Sequence, residues 1–407
     1  MSSKKKNLSR RDFLLTTGAA GAASMLFHKN SNAAELVSDK KTSKLTRVPT
    51  RPFGKTGVDV SILSLGGTID LISNQLLLKQ ALRWGVTYWD TADGYGRSEE
   101  GIGKYFMKNP KDRKKVFLVT KSKDRDPFGL EMSLDNSLKR MNTSYIDLYL
   151  VHMLGSIEDL FPYDPVIEWM EKEKKAGRIR FFGFSTHKNM EECMLGAAKL
   201  GWIDCIMMGY NYRLMNTDRM KAAVNACVKA GIGLTAMKTQ AKGQAQTDTE
   251  AELKLAGRFI KKGFTKAQAS LKAVWDNPHI TAICSNMPNL NILSANVAAA
   301  LDKTELSQTD KRLFNLHAEE TISDYCTGCT RICESEINGN VPIGDVMRYL
   351  MYSRSYGDHK LARNLYNKIP KDICIQMNQL NYTRAEQKCP QKIPIGQLMR
   401  EAAIELG

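Results

Sequence analysis

No apolar run in this chain is long enough to cross a bilayer. The stretch from Phe13 to Phe27 has only 15 residues, against the roughly 20 that a spanning helix needs. No cysteine precedes Cys193, which excludes a lipid-anchored N-terminal cysteine. A Gly-x-Gly-x-x-Gly turn is missing after the first strand pattern, where Leu65-Gly66-Gly67-Thr68 stands instead, so a doubly wound dinucleotide fold lacks its fingerprint. No basic stripe is interleaved with aromatics, which argues against nucleic acid as a partner despite a net charge of +16. Residues 1–34 carry six Lys and Arg against one Asp, leaving about +11 on the rest. That charge reads as a solvated basic surface suited to an anionic cofactor or partner.

What is present begins with length. The 407 residues suit a barrel of about 250 residues plus an appendage, and 43% hydrophobic residues allow a large core. Residues 1–34 read as a targeting segment: Lys4, Lys5, Lys6 and the pair Arg10-Arg11 precede the apolar stretch, and Ser31-Asn32-Ala33 offers a small-residue cleavage site. Ser9-Arg10-Arg11-Asp12-Phe13-Leu14 resembles a twin-arginine export signal, implying a periplasmic protein with no integral membrane segment once the signal is removed. That route resembles one used by proteins that load cofactors before export. Nine cysteines outside the cytosol would also be compatible with disulfides. Cys193, Cys205, Cys227 and Cys284 sit in apolar patterns and read as small core residues.

From Val58 onward, short apolar runs alternate with helix-period segments. The strand patterns are Ser61–Leu65, Val86–Trp89, Val116–Thr120, Ile146–Val151, Phe181–Phe184, Cys205–Met208, Gly233–Ala236 and Thr281–Ile283. Helical stretches such as Gln75–Trp84, Leu130–Met141 and Met190–Leu200 separate them. Eight strand–helix units in about 240 residues predict an α/β fold of the (β/α)8 TIM-barrel type. The chemistry of such barrels gathers at the carboxyl ends of the strands. Asp90, Lys121 and His152 stand at three of those ends, and Tyr95 lies five residues past Asp90.

Asp90-Thr91-Ala92-Asp93-Gly94-Tyr95-Gly96 with Ser98-Glu99, Val119-Thr120-Lys121 and Leu150-Val151-His152 follow one another in this order. In these motifs residues 48–300 resemble the aldo-keto reductases. The resemblance implies a catalytic tetrad of Asp90, Tyr95, Lys121 and His152. It implies an oxidoreductase that interconverts a small-molecule carbonyl and an alcohol with NADP(H) or NAD(H). Hydride goes to carbon and a proton to oxygen, with Tyr95 as proton donor. A nearby ammonium lowers a phenol's pKa from about 10, so Lys121 is expected to make Tyr95 more acidic, Asp90 to hold Lys121, and His152 to orient the carbonyl oxygen. Ser185, Thr186 and Tyr210 lie in motifs that resemble the family's nicotinamide side, and Ser285, Asn289 and Asn296 in those of its adenosine side. Met287-Pro288 stands where a basic residue would grip a 2′-phosphate, and Met207 where many members place a Gln, so the choice of nicotinamide stays open. Loops 153–163 and 238–248 are expected to choose the substrate.

Residues 301–325 read as a linker helix with Asp302, Lys303, Glu305 and Asp310 on a solvated face. Beyond it, Cys326-x2-Cys329-x3-Cys333 is followed by Cys389-Pro390. Bacterial two-cluster ferredoxins bind iron and sulfur through Cys-x2-Cys-x2-Cys-x3-Cys-Pro runs whose Cys-Pro thiolate serves the other cluster. An internal repeat accompanies the cysteines: Val341-Pro-Ile-Gly-Asp-Val-Met-Arg348 recurs 52 residues later as Ile393-Pro-Ile-Gly-Gln-Leu-Met-Arg400. The same shift lays Cys326, Cys329 and Cys333 on Asn378, Asn381 and Ala385, and Cys389 on Ile337. One complete ligand set survives, so residues 326–407 resemble a small helical ferredoxin-like domain with one [4Fe-4S] cluster. A four-thiolate zinc site and disulfides are the alternatives. Such a cluster either staples the module or passes electrons, which leaves room for a redox partner protein. The rival function is an electron-transfer or binding protein that keeps the barrel as a scaffold.

Overall fold

The structure, a computed structural model, describes residues 47–245 and 250–407. The expected targeting segment, and residues 246–248 of the expected substrate loop, lie outside the described residues.

Eight parallel strands close into a barrel: β3 (Leu63–Gly66), β4 (Tyr88–Asp90), β5 (Phe117–Ser122), β6 (Ile146–Val151), β7 (Ile179–Thr186), β8 (Cys205–Gly209), β9 (Gly233–Met237) and β10 (Ala282–Asn286), with β10 pairing back onto β3. Strands β5 and β6 are buried along their whole length, as parallel strands covered on both faces must be. Their near-continuous apolar runs follow from that burial. Helices such as Gln75–Arg83, Pro127–Arg140 and Met190–Leu200 wrap the outside with one apolar face inward.

The first strand pattern proves to be two elements. Ser61 ends β2 (Asp59–Ser61), which pairs antiparallel with β1 (Thr50–Pro52), and the barrel strand begins only at Leu63. This hairpin carries Phe53 into the amino-terminal end of the barrel, against Tyr88 and Phe117 at ring distances of 6.0 and 5.8 Å. One end of the barrel is thus plugged by aromatics. The other end keeps the polar strand-end residues. Gly67, just past β3, lets that rim close up, because a Cβ there would stand 2.4 Å from the Asp90 carbonyl oxygen.

The segment 301–325 is not one solvated helix. The helix spans Gln308–Glu320. Asp310 is fully buried: it closes a capping box with Ser307 and pairs with Arg258 and Lys262 from the barrel side. The expected solvated face fails there because the segment packs on the barrel through Phe314, which lies against Tyr212 and Phe259.

Residues 326–407 form five main helices, Ile343–Arg354, His359–Tyr366, Lys371–Gln379, Thr383–Lys388 and Ile395–Leu406, around a core that includes Met347, Leu350, Met399 and Leu406. The internal repeat is visible in the hydrogen bonds. Gly344 N–H donates to Glu334 Oε1 at 3.0 Å, and 52 residues on, Gly396 N–H donates to Glu386 Oε1 at 2.8 Å. Both helices start behind a proline, Pro342 or Pro394.

Barrel and module belong to one compact unit, Thr46–Gly407. Lys188 pairs with Asp345 at 2.5 Å, Asn189 N–H donates to the Gly328 carbonyl at 2.9 Å, and Asn211 Nδ2 donates to Tyr325 Oη at 2.9 Å. Gly328 has φ +78°, and a Cβ there would come within 2.3 Å of the His187 carbonyl oxygen, so this seam requires glycine.

Candidate active site

The four rim residues come together at the open end. Asp90 ends β4, Lys121 lies near the end of β5 and His152 directly follows β6. Lys121 Nζ stands 2.6 Å from Asp90 Oδ1, with 1% and 3% of the two side chains exposed. The same ammonium donates to the Thr91 carbonyl at 2.7 Å and sits 4.9 Å from the centre of the Tyr95 ring. The His152 ring meets Tyr95 edge-on at 5.5 Å. Further contacts hold the strand ends in place. Thr120 Oγ1 donates to Glu99 Oε1, Arg140 pairs with Glu99 Oε2, and Arg125 donates to the His152 carbonyl at 2.7 Å.

Burial dominates the ionisation of this group. It pushes the Asp90 carboxyl up in spite of Lys121. It works against the Lys121 ammonium, but the charges of Asp90, Tyr95 and Cys284 together outweigh it and hold the lysine above its ordinary value. It raises the Tyr95 phenol well above 10, and the pull of Lys121 offsets this only in part. The expected acidic tyrosine is therefore not what the resting site holds, because desolvation exceeds the attraction of one ammonium that is already paired. His152 is lowered to about 2 by burial and by the charges of Lys121, Lys123 and Arg125, so it is neutral, and its Nδ1 has no hydrogen-bond partner.

The sequence pattern missed one member. Cys284, read as core, lies near the pair on β10: burial raises its thiol, the Asp90 charge adds to this and the Lys121 charge opposes it. Its position near a strand end is the signal that the core reading of Cys284 passes over. Cys193, Cys205 and Cys227 are buried, as expected of core residues. Met207 lies in the barrel interior.

The nucleotide-side residues divide. Ser185 Oγ accepts from Met153 N–H at 3.1 Å, and Thr186 Oγ1 donates to the Leu154 and Lys188 carbonyls, so both tie the loop after β6 to β7. Tyr210 is buried in the core, with its hydroxyl accepting from Asn277 Nδ2 at 2.9 Å, and none of its contacts joins it to the tetrad. Asn296 Nδ2 donates to Ser285 Oγ at 3.0 Å, and Asn289 caps the helix Leu290–Leu301. Asn289 also borders a surface cavity of about 370 Å³ with Ser73, Asn74 and Asn291, and none of the described residues lining it is basic.

A second cavity brings Cys326, Cys329, Cys333 and Cys389 to one lining. None of them is in a disulfide. Burial pushes Cys326 up to about 12 and also raises Cys329 and Cys333, and each of the three feels the charge of Cys389. Among the described residues no three His, Cys, Asp or Glu side chains converge on one point as a single metal ion requires. No described helix is long and apolar enough to cross a membrane.

The rim of the closed parallel barrel thus carries a buried lysine–carboxylate pair, a tyrosine and a neutral histidine. The aldo/keto reductase family model matches residues 64–308, and the chain belongs to that family. A twin-arginine translocation signal sequence matches residues 7–27, so the protein is exported by that route to the periplasm. Aldo-keto reductase yakc [NADP(+)] of Schizosaccharomyces pombe is 32% identical over 158 residues, covering 34% of this chain and 45% of that protein. Oxidoreductase YqkF of Bacillus subtilis is 27% identical over 315 residues, 73% of this chain and 92% of that one. The solved aldo-keto reductase Tm1743 is 26% identical with a TM-score of 0.55, covering 66% of this chain and 99% of its own. The matched stretch thus spans less than half of the first of these relatives and nearly all of the other two.

Proposed function

We propose that this protein interconverts a carbonyl and an alcohol with a nicotinamide cofactor, and that residues 326–407 are a ferredoxin-like module carrying one [4Fe-4S] cluster. The buried Lys121–Asp90 pair beside Tyr95 and His152 carries the first part. A charged pair this dry is costly to keep unless it is used.

The nicotinamide, when bound, supplies or accepts hydride at the substrate carbon. The protein's residues handle the oxygen. His152, neutral throughout the physiological range, donates its imidazole N–H to the carbonyl oxygen and leaves proton transfer to Tyr95. Tyr95, raised by burial, stays protonated at neutral pH and donates as negative charge develops on that oxygen. An alkoxide resembles hydroxide, whose conjugate acid has a pKa of about 15.7, so the transfer from a phenol runs downhill. Lys121 stabilises the phenolate left behind, and Asp90 keeps Lys121 in place. This balance favours reduction, since the phenolate that alcohol oxidation needs as a base is scarce.

Ser285, Asn289 and Asn296 would hold the adenosine end, with Ser185 and Thr186 shaping the nicotinamide side. A relative's name carries NADP(+). The nicotinamide is NADP(H) or NAD(H), and activity with each decides between them. In the module, Cys326, Cys329, Cys333 and Cys389 fit a cluster better than a zinc ion. Zinc draws four thiolates to about 2.3 Å from one point, whereas these sulfurs line a cavity. The cluster, when bound, would give the protein a one-electron centre that a redox partner protein can address.

The test is NADPH and NADH oxidation by the purified holoprotein with a panel of small aldehydes, for the wild type and Tyr95→Phe. Tyr95→Phe should lower kcat by about 10²–10⁴-fold and leave the KM for nucleotide near that of the wild type. Equal turnover by both forms removes Tyr95 from this role.

A further inference from the structure

The module does more than pack on the barrel. The loop Cys326-Thr327-Gly328, with Gly344 and Met347, lines the cysteine cavity on one side and a second cavity, in the seam between module and barrel, on the other. The seam cavity measures about 30 Å³, room for roughly two waters, so its walls stand close together. His187 and Lys238, which follow β7 and β9, line it from the barrel, and Arg348 lines it from the module. Gln244 of the barrel accepts from the Cys326 N–H at 2.7 Å and fixes the partition between the two spaces.

This seam is rich in positive charge. Arg348 is 7% exposed, and its guanidinium donates to Asp345 Oδ1 at 3.0 Å and to the His187 carbonyl at 3.5 Å. Lys188 pairs with the same Asp345 at 2.5 Å. Lys238 is in no ion pair among the described residues, and its Nζ stands 5.2 Å from the centre of the Tyr352 ring. Its backbone is held in the left-handed region at φ +56°, a conformation that costs a lysine energy. Lys188 and Arg348 thus share one carboxylate and Lys238 has none. Such a surplus is costly away from water unless negative charge lies close by. Across the partition, Thr327 Oγ1 donates to Cys329 Sγ at 3.4 Å.

We propose that Thr327, Arg348 and Lys238 are positioning residues for the cluster of the C-terminal module, and that they raise its reduction potential. This rests on the cluster reading above and deepens it. The redox change is the uptake of one electron from a one-electron donor protein. No bond forms or breaks, and the four-thiolate site gains one unit of negative charge. Hydrogen bonds to the ligand sulfurs and the net charge around them are levers on that equilibrium. Thr327 supplies the hydrogen bond, at Cys329. Arg348 and Lys238 supply the charge, across the small cavity that Cys326 borders, and a buried seam strengthens their effect. Because Lys238 belongs to the barrel, the barrel takes part in setting the potential of a group held by the module.

The experiment is an anaerobic dithionite titration of the purified holoprotein, followed by electron paramagnetic resonance, for the wild type, Thr327→Val, Thr327→Ser, Arg348→Met, Arg348→Lys and Lys238→Met. At the potential that half-reduces the wild type, Thr327→Val, Arg348→Met and Lys238→Met should each lower the reduced-to-oxidised ratio by about tenfold, which is about 59 mV for one electron. Thr327→Ser and Arg348→Lys keep the hydroxyl and the charge, and should titrate with the wild type. A Thr327→Val protein that titrates with the wild type overturns the proposal. So does a Thr327→Ser protein that follows Thr327→Val, because packing and not the hydroxyl would then be at work. If Arg348→Met fails to fold, Lys238→Met decides the part played by charge, and a wild-type potential in that variant overturns it. A wild-type preparation without iron and sulfide refutes the cluster reading itself, whereas a loaded protein whose potential ignores these substitutions refutes only the present proposal.

Discussion

Replacing Lys121 by methionine would leave the Asp90 carboxylate buried opposite an apolar side chain. The two charges stand 2.6 Å apart with almost no exposure. At an effective dielectric of about 20 their attraction is about 6 kcal/mol, most of it offset by the cost of taking both ions out of water. Removal of one partner is therefore expected to cost about 3–5 kcal/mol. At about 2–4 °C per kcal/mol, a figure for domains of 150–250 residues, the Tm should fall by about 6 °C or more. The sign of the pH dependence follows from Asp90. Its carboxyl is already raised by burial with Lys121 present, and it rises further without it. A carboxyl whose folded pKa exceeds its unfolded value adds stability below the unfolded pKa of about 4 and loses it as pH climbs through the folded pKa. The deficit of Lys121→Met should thus be smaller at pH 5 than at pH 8. Adding Asp90→Asn removes the orphaned charge, so the double variant should be less destabilised than Lys121→Met alone. Thermal unfolding of the holoproteins by circular dichroism at both pH values measures this. A deficit that is equal in single and double variants, or that shrinks with rising pH, would refute the argument.

Three more outcomes are expected. Cys389→Ser should lose iron and acid-labile sulfide together, by elemental and sulfide analysis, because a single ligand from the far end of the module closes the cavity; wild-type iron content would end the cluster assignment. Between pH 5 and 8 the kcat should show no histidine ionisation, since His152 is held near 2, and His152→Gln should lower kcat/KM without changing the shape of the profile. Gly328→Ala should cost about 1–3 kcal/mol through its left-handed backbone and the clash with the His187 carbonyl; hydrogen exchange should rise across residues 326–356, and unchanged exchange there would contradict the account of the seam.

Much of the barrel could be read from the chain because its signals are local. Fully buried parallel strands are largely apolar, and Ile146–Val151 has the bounds its pattern suggested. Polar side chains of such barrels gather where strands end, so Asp90, Lys121 and His152 could be placed at one rim from position alone. The 52-residue repeat also survives as matching helices with matching glutamate–glycine bonds. Other readings failed where a contact is non-local. Asp310 looks solvated beside its charged neighbours, yet Arg258 and Lys262 bury it.

Strand period, rim chemistry, export signal and cysteine spacing were thus decided by the amino-acid order, since each depends on neighbours a few residues away. The tertiary structure alone decided that burial outweighs Lys121 at the Tyr95 hydroxyl, that the charge of Asp90 reaches the Cys284 thiol, and that Tyr352 meets Lys238 across the seam between barrel and module. Desolvation and charge pairing depend on every group within a few ångströms, and folding brings those groups from distant parts of the chain.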